Sequence, residues 1–169
     1  NGATGGLIAN YQLNYTTLLN GAESKYGSWG SSPDTSPYEL PGNPDINTVK
    51  KAFEQIMYKY MQENTVVMEV GHVVDQVLYD NFSYSGYIGI KFISENGKIP
   101  SGICVGHGID FATVALQFET AVDMPFINSQ LTAFNKVVAP RILDVEAIHD
   151  IYLTNKASGE INFYNVSMW

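Results

Sequence analysis

Apolar and polar residues change their period twice along this chain. Over 49–60 the apolar positions Val49, Ala52, Phe53, Ile56 and Tyr60 recur every three or four residues, with Lys50, Lys51, Glu54, Gln55 and Lys59 between them. That spacing places one apolar stripe on one face of a helix. Asp45 or Asn47 can cap its first free N–H groups, so the pattern predicts a long amphipathic helix over 47–63.

From Thr65 onward the period becomes two. Six valines between Val66 and Val77 stiffen the chain toward strand, and Gly71 marks a break within it. Phe82, Tyr84, Ile88, Ile90 and Phe92 then alternate with Ser83, Ser85, Tyr87 and Lys91. Glu95-Asn96-Gly97-Lys98 supplies the positive-φ pair of a tight turn, and a return strand follows through Ile103, Val105, His107, Ile109 and Phe111. Val114, Leu116 and Phe118 continue the alternation, which predicts an antiparallel meander. A short helix over 128–138, with Leu131, Phe134, Val137 and Val138 on its buried side, ends before Pro140, and a weaker helical turn covers 142–150. Ile151–Thr154 and Ile161–Met168 read as a second hairpin turning at 156–160. No internal repeat is visible.

The first 45 residues differ from the rest. They carry seven of the fifteen glycines and four of the seven prolines, with a candidate strand only over 7–15. Such a segment buries no lasting face of its own and must lie on another surface, its own domain or a neighbouring copy. The expected organisation is therefore an extended N-terminal arm, 1–45, and a single domain, 46–169. The expected fold class is α+β, an antiparallel sheet of five to seven strands packed on one long amphipathic helix with shorter helices.

Composition narrows the partners. Apolar residues make up 45% of the chain, enough for a full core. Nine basic residues against seventeen acidic ones give a net charge of −8, and nothing beyond Lys50-Lys51 gathers positive charge. Nucleic acid, which needs a basic stripe to displace counterions, is a poor partner. No apolar run reaches the roughly 20 residues of a membrane span. The single cysteine, Cys104, excludes an internal disulfide framework. Asn14-Tyr15-Thr16, Asn81-Phe82-Ser83 and Asn165-Val166-Ser167 match the N-glycosylation pattern, a frequent chance event in a chain rich in Asn, Ser and Thr.

Candidate chemistry is sparse. His72, His107 and His149 are scattered, so neither a metal site nor a cofactor is expected. Cys104, His107 and Asp110 form the one suggestive group, yet on a regular strand Cys104 and Asp110 share a face that His107 leaves. Only a bulge at Gly106 or Gly108 would bring thiol and imidazole together. Glu69, Asp75 and Asp80 read as solvated edges rather than as a carboxylate pair. Tyr79, Tyr84 and Tyr87 could line a glycan-binding face. Tyr26, Trp29 and Tyr38 in the arm, with Met168 and Trp169 at the other end, are apolar groups suited to docking on sister molecules. Together these features predict a non-enzymatic structural subunit of a self-assembling particle, of the virion, phage-tail or extracellular-filament type. A glycan or surface-ligand module and a small Cys/His-dependent enzyme are the alternatives.

Overall fold

The computed structural model describes residues 3–14, 61, 64–133 and 149–168. They form fourteen strands: β1 Ala3–Thr4, β2 Leu7–Ala9, β3 Gln12–Asn14, β4 Val66–Val70, β5 Val73–Val74, β6 Gln76–Tyr79, β7 Phe82–Phe92, β8 Gly102–Val105, β9 Gly108–Phe118, β10 Phe126–Ile127, β11 Gln130–Ala133, β12 His149–Leu153, β13 Phe163–Tyr164 and β14 Ser167–Met168. Every pairing between them is parallel.

The expected α+β fold is therefore overturned. The described residues are nearly all β, and they wind in stacked coils rather than folding back in a meander. One five-stranded sheet runs β13-β10-β8-β6-β2. A seven-stranded sheet runs β14-β11-β9-β7-β3, with β4 on β7 and β12 on β9. Alternation misleads here because it reports which face is buried and is the same for both strand directions. Of the expected helix over 47–63 only Met61 is described, and among the described residues only Met61 and Asn64 have helical backbone. Gln130–Ala133, expected in a helix over 128–138, is strand β11, whose partner β9 decides the matter. His149 and Asp150 likewise open strand β12. The expected second hairpin is absent too, since β12 pairs β9 while β13 and β14 pair β10 and β11. Asn96 and Gly97 do take positive φ (54° and 74°), with Glu95 and Lys98 bridged antiparallel, but this tight turn links two coils and not two long hairpin strands.

One local device repeats in all five coils. Asn10, Asp80, Gly106, Asn128 and Asn165 adopt φ of 54°, 47°, 68°, 52° and 52°. Asn, Asp and Gly are the residues that tolerate this left-handed region. Each begins a two-residue bend joining a strand of the first sheet to one of the second. The bends stack in register: Asn10 N, Asp80 N, Gly106 N and Asn128 N donate to the carbonyls of Tyr79, Val105, Ile127 and Tyr164 at 2.9–3.0 Å. Phe82 N, Gly108 N, Gln130 N and Ser167 N return bonds to Tyr11, Asn81, His107 and Ser129 at 2.8–3.0 Å.

Between the sheets lies the core. Register aligns Ile8, Leu78, Cys104, Phe126 and Phe163 in one inward column, and Leu13, Ser83, Ile109, Leu131 and Met168 in another. Phe92 stacks on Phe118 (centroids 5.0 Å apart), and Phe126 meets both edge-on at 5.6 and 5.8 Å. Burying each of these rings contributes roughly 2–3 kcal/mol. Residues 3–14, expected to open an extended arm, supply the first coil of the stack and pair with the chain's own β5, β6 and β7. The rest of that arm, 15–45, lies outside the described residues.

Candidate functional site

Gly106 decides where the suggestive chemistry goes. Its positive φ turns the chain between Cys104 and His107, and both side chains enter the interior, 0% and 4% exposed. The regular-strand expectation that they lie on opposite faces is corrected by this bend. Asp110 stays on the outer surface, where it accepts from Gln130 Nε2 at 3.2 Å. Burial pushes the Cys104 thiol up to about 12, with a hydrogen bond from Ser129 acting the other way. Burial also pulls His107 down to about 4, and its Nδ1 has no hydrogen-bond partner. At neutral pH the interior thus holds a thiol and a neutral imidazole. A nucleophilic pair needs a thiolate and solvent access; this geometry provides neither.

The other titratable groups lie apart. Glu69 and Glu119 each sit 3.4 Å from Lys91 Nζ. Burial lowers the Lys91 pKa, but the hydrogen bonds and charges of Glu119 and then Glu69 outweigh it, and the net shift is upward. Asp80 lays its carboxylate over Gly106, in the space a side chain there would fill. Asp75 is exposed at a bend between β5 and β6. His149 stacks on Tyr152 at 5.0 Å, far along the chain from His72. Among the described residues no three His, Cys, Asp or Glu side chains converge as metal ligands. No helix among them is long and apolar enough to cross a membrane.

Outer surfaces are more informative than the interior. On the five-stranded sheet, Leu7, Val77 and Ile103 form one outward column, and Ala9, Tyr79, Val105, Ile127 and Tyr164 form the next. None is charged, and Leu7, Tyr79 and Tyr164 are strongly exposed. A sheet face is normally polar where it meets water. Tyr79 therefore parts from Tyr84, which stands on the seven-stranded sheet, and from Tyr87, beyond the Gly86 position of β7. The glycan cluster expected from these three tyrosines is not assembled.

The two outermost coils extend this apolar character. Ile8 lies in the same inward column as fully buried Leu78, yet it is 39% exposed. Met168 lies in the column of buried Leu131 and is 44% exposed. Among the described residues nothing pairs with the outer edges of β2 and β3 or of β13 and β14. Of the other assembly residues expected from sequence, Tyr26, Trp29, Tyr38 and Trp169 lie outside the described residues. Asn81, in a glycosylation pattern, is buried, accepts from Tyr11 N at 2.9 Å and donates to Ile8 O at 3.0 Å, whereas Asn165 is exposed. Met168 was expected from the sequence as an assembly residue, whereas Ile8 was not, and the Asn, Asp and Gly residues that take the bends recur at no fixed spacing.

Comparison with family models, curated proteins and solved structures gives no match to this chain.

Proposed function

We propose that this chain is a non-enzymatic structural subunit that joins copies of itself end to end, as a virion or extracellular filament component would. The observation that carries this reading is the match between its two outermost coils. Both carry the same left-handed bend, at Asn10 and at Asn165, and both leave inward apolar residues in water. Within each sheet the described strands are parallel, so the open edge of one coil is complementary to the opposite edge of another. Repeating the internal pattern would set Asn165 N on Ala9 O, and Gln12 N on Val166 O, of the next copy. A contact between two different ends generates an open filament wherever its rotation does not close into a ring. The uncharged outer face of the five-stranded sheet supports lateral packing of such stacks, because a chain of net charge −8 approaches its copies most easily where it carries no charge.

Sedimentation velocity across a hundredfold concentration range tests the reading. Association is expected to rise with concentration, and Ile8→Asp or Met168→Asp is expected to abolish it while the thermal melt of the monomer is nearly unchanged. A chain that remains monomeric throughout, or associates equally well with both substitutions, overturns it.

A further inference from the structure

The outer face of the seven-stranded sheet has the opposite character, and from it we infer a binding platform for a neutral saccharide. Ser83, Ile109 and Leu131 point into the core, so their neighbours in β7, β9 and β11 point outward. Register lines up Phe82, Gly108 and Gln130 across three strands, and Tyr84, Asp110 and Thr132 two residues further on.

Gly108 shapes this surface. A Cβ built there would lie 2.8 Å from Phe82 Cδ2 and 3.4 Å from Cε2, so the half-buried Phe82 ring leans across the gap that the missing side chain leaves. A shallow apolar shelf results, one strand away from the pair Gln130 Nε2–Asp110 Oδ1 (3.2 Å). That bond joins the two side chains and leaves the second carboxylate oxygen and the Gln130 amide oxygen as acceptors.

An aromatic ring beside two acceptors suits a pyranose. The ring face is electron-rich and attracts the slightly positive C–H groups of a sugar face. Neighbouring hydroxyls can donate to the Asp110 carboxylate and the Gln130 amide, and charge-assisted bonds of that kind are the stronger sort. Three strands span about 10 Å between the outer two, room for roughly two sugar units. The Asp110 carboxylate and the net charge of −8 select against uronic or sulfated sugars. This platform shares no residue with the end-to-end contact, so either can fail alone.

The experiment titrates the full chain with trimers of glucose, mannose and N-acetylglucosamine, and with a uronic acid trimer, followed by backbone amide shifts. At least one neutral trimer is expected to move the amides of Phe82, Gly108, Asp110 and Gln130. Phe82→Leu, which keeps an apolar group without the flat ring, should weaken that binding at least tenfold, as should Gln130→Ala. Ile99→Ala, exposed between β7 and β8, should leave it unchanged. No shift with any neutral trimer at millimolar concentration overturns the inference. So do shifts confined to the five-stranded sheet, tighter binding of the uronic acid trimer, or undiminished binding by Phe82→Leu in a chain with native amide dispersion.

Discussion

The Asn165 side-chain amide donates to the Asn128 side-chain oxygen at 2.8 Å, tying the bends of the last two coils together outside the backbone ladder. Both residues hold positive φ, so each Asn serves twice, as a conformation and as a bonding group. Asn128→Gly keeps the conformation and loses only the side-chain bond, an expected cost of about 0.5–1 kcal/mol. Asn128→Ala adds left-handed strain and should cost roughly 1–2 kcal/mol more. Urea midpoints of the two variants separate the contributions.

Glycine matters most where one coil presses on the next. At Gly102 (φ +146°) a Cβ would collide with the Gln76 backbone, which cannot yield without breaking the stack. Gly102→Ala is expected to cost roughly 3 kcal/mol or more, and loss of the cooperative thermal transition would be its signature. Gly97 (φ +74°) has nothing within 4 Å of its Cβ position, so Gly97→Ala should cost only about 1–2 kcal/mol of backbone strain. Equal melting temperatures for the two would contradict the stacking described above.

Stability should fall with acid through His107. Its folded pKa, lowered to about 4 by burial, lies below the ordinary 6.5. Between those values the unfolded chain binds the extra proton, so this contribution is complete above pH 6.5 and is lost as pH falls toward 4. The loss is on the order of 3 kcal/mol. The neighbours stacked on it through the bends, Asn81 and Ser129, are uncharged and cannot offset an imidazolium. Denaturation at pH 7 and pH 4.5 should show the difference, and His107→Leu should flatten it.

Thiol chemistry tests the interior directly. Cys104 is fully buried with its thiol pushed up to about 12, so Ellman's reagent should label native protein only as fast as the chain opens. Labelling in moderate urea should accelerate in step with unfolding measured by tyrosine fluorescence. Rapid labelling of native protein at pH 7 would show an exposed thiolate and contradict this burial.

Coil one gives a further check. Asn81 is its buried anchor, bonded to Tyr11 N and Ile8 O, and Asn81→Ala leaves both backbone groups without that partner. The expected cost is roughly 2 kcal/mol, with amide exchange quickening at residues 7–13 before the rest of the sheet.

Residue pattern alone established much of the local structure. The valine-rich run from Val66, the alternation through Ile88, Ile90 and Phe92, the tight turn at Asn96-Gly97 and the burial of Cys104 all follow from neighbours in the chain. Strand direction did not, because antiparallel and parallel ladders bury the same alternate positions and differ only in which distant strand supplies the hydrogen bonds. The repeat was hidden for a related reason. Successive bends at Asp80, Gly106, Asn128 and Asn165 are 26, 22 and 37 residues apart, so no fixed period exists in sequence. What recurs is a backbone angle, and Asn, Asp and Gly all satisfy it. Tertiary structure alone brought Cys104 and His107 into one interior, parted Tyr79 from Tyr84, and laid Phe82 over Gly108. The first two are set by the left-handed bends at Gly106 and Asp80 that carry the chain from one sheet to the other, and the last is a contact across coils, decided by the stacking register.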